Sequence, residues 1–132
     1  MIRAVLADTG PLFAANDQGD QYHARALREL KAFARQRCEV LIPYPTLLEA
    51  YSLLLFSLGR GAAAAWLDEL AAVHFVTPTP ADYRQAIATV QGLGDQGITL
   101  VDATIAALSL RMGVEVWTYD HHFDVMRVAV WR

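Results

Sequence analysis

Residues 99–123, TLVDATIAALSLRMGVEVWTYDHHF, decide the fold. Ala103, Ile105, Ala106, Leu108, Leu110 and Met112 make a strongly apolar helical run. Gly113 stands where a helix ends on a left-handed residue, and residues 114–118 are rich in β-formers. Asp102 leads this helix and Asp120 follows the strand. Helix, turn, strand and acidic loop in that order describe part of a parallel α/β unit. In such units the ends of strands and the starts of the following helices share one rim, where ligands bind.

Outward from this stretch the same alternation continues. Residues 2–7 are a short apolar, partly β-branched run that predicts a buried first strand, with Asp8 directly after it. Gly10 and Pro11 make a turn, and Pro11 suits the first turn of a short helix to residue 15. Asp20 is placed to cap a longer helix to about residue 36, with Ala24, Leu27, Leu30 and Ala34 on one face and Arg28, Lys31 and Arg35 on the other. Residues 39–42 predict a second strand, ended by Pro43 and Pro45. Thr46 then opens a helix in which Thr46 and Glu49 have capping-box spacing. Glu49 is the only charge in that helix, which is apolar nearly all round and predicts a covering partner, together with an Ala-rich helix at 62–72. Residues 74–76 predict a third strand, Thr79 or Pro80 opens a helix through 92, and 125–131 predict a last strand at a sheet edge. Alternating strands and helices favour a mainly parallel sheet covered by helices, in one domain spanning 1–132.

Composition narrows the function. A formal net charge of −3 argues against a protein that binds nucleic acid mainly through a basic surface. It leaves room for a nuclease, because one or two divalent cations held by acids would bring the working charge to about −1 or +1. The hydrophobic fraction of 55% suggests apolar surface covered by a partner. The single cysteine, Cys38, excludes an internal disulfide framework and reads as a buried thiol in a reducing cytoplasm. The opening residues, MIRAVLAD, reach an aspartate before a signal-length apolar run develops, and no run approaches a membrane span, so neither secretion nor a membrane partner is expected.

Four carboxylates occupy comparable positions: Asp8 after the first strand, Glu49 in the helix after the second, Asp102 at a helix start and Asp120 after the penultimate strand. Right-handed crossovers bring all four to one rim. Each has a local explanation alone. Thr46 and Thr99 stand three residues before Glu49 and Asp102, and Asp8 and Asp120 suit turns. Jointly they would repel and raise one another's pKa values unless a hard cation intervened. Oxygen-only ligands suit Mg²⁺ or Mn²⁺ better than Zn²⁺.

These residues resemble a known family, the PIN domains, and within it the VapC-like toxin ribonucleases of toxin–antitoxin pairs. Residues 8–12, DTGPL, are similar to its opening motif, Glu49 to its second acid, residues 99–103, TLVDA, to its third motif, and residues 118–123, TYDHHF, to its last. The resemblance spans essentially the whole chain. It implies a three-layer α/β/α domain with a mainly parallel sheet of four to five strands, acting as a divalent-metal-dependent endoribonuclease. Asp8, Asp102 and Asp120 would hold Mg²⁺ or Mn²⁺, Glu49 would complete the catalytic acids, and Thr9, Thr118, His122 and Asp124 are supporting candidates. His122 stands where many relatives carry a further aspartate, which puts a second metal position in doubt; Asp124 is the alternative donor. The implied partners are RNA, a cognate antitoxin and a second copy of the chain, in the cytoplasm.

Other chemistries fit less well. A receiver-like protein needs a lysine near the final strand, yet Lys31 is the sole lysine, and a haloacid-dehalogenase-like phosphatase needs Asp-x-Asp where this chain has Gly10. The rival from a different class is a PIN-like module that binds RNA or protein without cutting.

Overall fold

The computed structural model describes residues 3–132, so Ile2, placed by the sequence reading in the first strand, lies outside the described residues. Strands β1 (Arg3–Ala7), β2 (Cys38–Pro43), β3 (His74–Val76) and β4 (Glu115–Trp117) form a sheet in the order β3-β2-β1-β4. All three neighbouring pairs are parallel. Val5 faces Val40 on one side and Glu115 on the other, and Leu6 faces Leu41 and Val116.

Consecutive apolar residues form these strands because helices cover both faces. The period-two alternation sorts them. Val5, Ala7, Ile42 and Trp117 face one core, while Leu6, Leu41 and Val116 face the other. The first core is roofed by α1 (Thr9–Asn16), α2 (His23–Arg35), α3 (Tyr44–Leu58) and α4 (Arg60–Asp68). There Phe33 stands edge-on to Trp117 at 5.2 Å between ring centroids. The second is roofed by α6 (Leu100–Met112) and α7 (His122–Val125), with α5 (Pro80–Gly92) packed outside α6 through Ala86, Ile98 and Ala103. This is the three-layer α/β/α arrangement, with four strands.

Several local expectations hold. Gly113 ends α6 at φ +66°, where a side chain would be strained, and Thr99 accepts a bond from the Asp102 backbone N–H at 3.1 Å. Cys38 is buried, and burial pushes its thiol pKa up, as suits an inert packing group. Among the described residues no helix is long and apolar enough to cross a membrane.

Others are corrected. Residues 125–131 are not an edge strand: α7 takes His122–Val125, and among the described residues the only ladder contact is an isolated parallel bridge of Val130 to Val116. Without a run of pairs the segment packs by its side chains, Val128 in one core and Trp131 against the other. Gly10 lies inside α1 rather than in a turn before it, while Pro11 sits in the first turn of that helix as expected. Pro45 likewise sits in the first turn of α3, which opens at Tyr44 rather than Thr46. Thr46 forms no capping box with Glu49; its buried hydroxyl donates to the Ala7 carbonyl 2.9 Å away. Asp20 does not cap α2, which opens at His23; its Oδ1 accepts from the Tyr22 backbone N–H at 2.8 Å and shapes the preceding turn. The Ala-rich helix α4 ends at Asp68, short of residue 72.

The outer layer is clamped by one acid. Asp82 completes a capping box with Thr79 at the start of α5 and receives three guanidinium contacts of 2.9 to 3.1 Å from Arg111 at the end of α6. The Arg111 hydrogen bonds, ahead of the opposing effect of burial, hold the Asp82 carboxyl below its usual 3.8. A depressed folded-state pKa stabilises above the unfolded value and loses that contribution as pH falls through the folded one. Asp82→Ala should therefore cost about 1–3 kcal/mol in urea unfolding at pH 7. The gap from wild type should close as pH drops below about 3.8.

Candidate functional site

The carboxyl ends of the parallel strands define one edge of the sheet. The chain runs outward from β1 to β2 and β3, then returns to place β4 on the other side of β1. The reversal leaves a crevice between the ends of β1 and β4, the usual ligand position in such sheets.

Asp8 lies at this crevice, one residue past β1, with its backbone N–H donating to the Trp117 carbonyl of β4 at 3.0 Å. It is the N-cap residue of α1, yet its side chain does not cap that helix. Instead Oδ2 accepts a 2.7 Å hydrogen bond from the Thr118 hydroxyl just past β4. The same Thr118 oxygen accepts from the Asp120 backbone N–H at 3.0 Å. One hydroxyl therefore orients the Asp8 carboxylate and the loop carrying Asp120.

Asp120, Asp102 and Glu49 converge on this point from three other elements. The four acids line one open cleft of about 530 Å³, together with Thr9, Asp20, Tyr22 and Tyr119. Asp102 enters from the first turn of α6, Glu49 from the second turn of α3, and Asp120 from the loop after β4. The sequence expectation of one acidic rim is thus met in space.

The electrostatics are unfavourable without a counter-charge. Burial drives the Asp8 carboxyl from 3.8 to about 7; the Thr118 bond opposes this and the charges of Asp102 and Glu49 add to it. Burial also raises Asp102, with Asp120 the next cause. No lysine or arginine lines the cleft among the described residues. The Thr9 hydroxyl, in the first turn beside Asp8, is buried with no hydrogen-bond partner. Buried Asp8 without a basic partner, an orphaned hydroxyl and a mainly carboxylate donor set fit a hard divalent cation.

The supporting candidates separate. His122 is largely buried behind Asp120: its backbone N–H donates to Oδ1 at 2.9 Å, and its Nδ1 lies 3.1 Å from the same oxygen. His121 is exposed, and one ligand atom from each of Asp120, His121 and His122 fits within 4.8 Å. Asp124 does not reach the cleft. It pairs with Arg132 at 3.0 Å beside a neighbouring hollow.

Sequence reasoning missed Asp20 as a fifth cleft acid, and it missed Tyr22, Tyr119 and Glu29. Glu29, on α2, accepts from Trp117 Nε1 at 3.1 Å and from the Tyr119 hydroxyl, and its other oxygen lies 3.5 Å from Arg25 Nε. It holds Tyr119 from 90 residues away in sequence, so no local pattern marks it.

Comparisons with known proteins agree with this fold. A family model described as PIN domain matches residues 5–129. The fold is similar to that of VapC20 from Mycobacterium tuberculosis, a sarcin–ricin loop cleaving toxin, with a TM-score of 0.84 at 24% identity over 97% of this chain and 98% of that one. It is also similar to VapBC2 from Rickettsia felis, bound to a fragment of promoter DNA, with a TM-score of 0.76 at 14% identity over 98% and 97% of the two chains. FitAcB from Neisseria gonorrhoeae gives a TM-score of 0.69 at 19% identity over 97% and 96%. No curated protein matches by sequence.

Because the Asp8 pKa is raised in the folded state, its contribution favours folding below the unfolded value and is lost as pH climbs through about 7. Asp8→Asn should therefore stabilise the metal-free protein at pH 8, by up to about 4 kcal/mol for a rise from 3.8 to about 7, and give no gain at pH 4. Urea titrations in chelator at the two pH values measure the difference.

Proposed function

The chain belongs to the PIN-domain family, and from that premise we propose that it is a divalent-metal-dependent endoribonuclease, the toxin of a toxin–antitoxin pair, acting as a single domain in the cytoplasm. The observation that carries this reading is the convergence of Asp8, Glu49, Asp102 and Asp120, from four separate elements, on one cleft lined by no lysine or arginine among the described residues. The toxin role draws on the fold shared with VapC20 and with toxin–antitoxin complexes.

In this reading Asp8, Asp102 and Asp120 hold Mg²⁺ or Mn²⁺ and Glu49 completes the acidic set. Bound there, the cation would supply Lewis-acid polarisation of a phosphate and a lowered pKa for water. The chain's own residues do the positioning. Thr118 keeps one Asp8 oxygen occupied, and the carboxylate lines the cleft. His122 and the Thr118 oxygen fix Asp120 from behind through its carboxylate and its backbone N–H. Thr99 ties Asp102 to the start of α6, where the helix dipole favours negative charge.

Exposed apolar side chains support the partner assignments. On α3, Phe56 is 85% exposed and Leu48 67% exposed. Leu48 continues with Tyr83, Ile87 and Leu100 into a groove between α3, α5 and α6, which we assign to a second copy of the chain. The outward face of α3 around Phe56 is left for the antitoxin.

Asp8→Asn and Asp102→Asn should fold yet cleave RNA at least about 100-fold more slowly than wild type, and chelator should abolish wild-type cleavage. Wild-type rates from both variants would reject the site, and binding without chelator-sensitive cleavage would favour the non-cutting module. Growth arrest on expression, relieved by a small DNA-binding protein encoded next door, tests the toxin role. Light scattering should give twice the 14.6 kDa chain mass. Ile87→Glu, which puts a charge in the groove, should give the monomer.

A further inference from the structure

The cleft that receives RNA in the reading above is lined by five acids, Asp8, Asp20, Glu49, Asp102 and Asp120, and by no lysine or arginine among the described residues. Away from a bound cation, these charges repel phosphates. Binding energy for the nucleotides flanking the scissile bond must come from uncharged contacts. The rings that line the cleft are Phe13, Tyr22, Tyr119 and the His121 imidazole.

Tyr22 and Tyr119 form an organised pair. Their ring centroids are 4.9 Å apart with planes tilted by 47°. Tyr119 is locked from behind by its hydroxyl bond to Glu29, and the Arg25 guanidinium lies 4.3 Å from its ring centroid. The Asp20 carboxylate holds the backbone of Tyr22. Tyr22 itself remains 38% exposed, so a large aromatic surface is held rigid and open beside the acids. Arg25 also borders the adjacent hollow, where Arg132 is paired with Asp124.

Aromatic faces that are fixed in advance and left open receive unpaired bases, whose stacking tolerates any base identity. We propose that Tyr22, supported by Tyr119 and Arg25, is a stacking platform for one unpaired nucleobase next to the scissile phosphate. The enzyme then requires an unstacked nucleotide at that position and discriminates against continuous duplex. This inference rests on the ribonuclease reading of the cleft and specifies how the substrate is held there.

The test uses Asp8→Asn protein in Mg²⁺, which slows cleavage enough to read binding before RNA is cut, and fluorescence anisotropy with labelled single-stranded RNA. Adding Tyr22→Ala should weaken binding at least about tenfold, whereas Tyr22→Phe should keep it. Moving a single abasic position along the oligonucleotide should identify one site at which the parent binds as weakly as Tyr22→Ala and the two become equal. Duplex RNA should show no difference between them. Unchanged affinity in Tyr22→Ala, a loss that persists at every abasic position, or failure of the parent to bind would each overturn the platform. Chelator-sensitive cleavage by wild-type protein is scored separately: its presence alongside an indifferent Tyr22→Ala rejects the platform alone, and its absence rejects the ribonuclease reading.

Discussion

The hydrogen bond from the Thr118 hydroxyl to Asp8 Oδ2 is the contact on which the site depends. It joins residues 110 positions apart and closes the crevice between β1 and β4, where the order of the sheet reverses. A hydroxyl has one hydrogen to give and lone pairs to accept with, and Thr118 uses both roles, toward the Asp8 carboxylate and from the Asp120 N–H. A second threonine braces the same point from the opposite side, since Thr46 donates to the Ala7 carbonyl and thereby registers the Glu49 helix against the end of β1. Two buried hydroxyls thus position three of the four acids.

The same arrangement concentrates uncompensated negative charge around Asp8. Burying Asp8 raises its pKa to about 7, and its acidic neighbours raise it further rather than neutralising it. A fold selected for stability alone would supply an arginine, as it does for Asp82, whose carboxyl is held low by Arg111. The contrast between these two buried aspartates sets an acid paired with an arginine beside one that faces only other acids and a hydroxyl.

Much of this was legible along the chain. The helix from Leu100 to Met112, its left-handed Gly113 and the caps at Thr79 and Thr99 follow rules that act within three or four residues, and the structure keeps them. The rim position of Asp8, Glu49, Asp102 and Asp120 followed from handedness and alternation, which need no knowledge of side-chain contacts. Thr46 shows where such rules stop. Its spacing to Glu49 is that of a capping box, but its hydroxyl goes to Ala7, 39 residues away, because a buried strand-end carbonyl needs a donor more than a helix start at Tyr44 needs a cap.

Alternation, local punctuation and the acids themselves therefore came from the sequence: the parallel sheet, its helices and the existence of one acidic rim. Tertiary structure alone decided which groups complete it. Tyr119 belongs to the cleft because Glu29 holds it from another layer, and His122 backs Asp120 while Asp124 turns away to Arg132. Residues 125–131, β-rich in composition, pack by their side chains and pair only at Val130. The physical reason is one of range. Backbone geometry and caps are settled by near neighbours, whereas the partner of a buried polar group is whichever distant group the packed layers bring within about 3 Å.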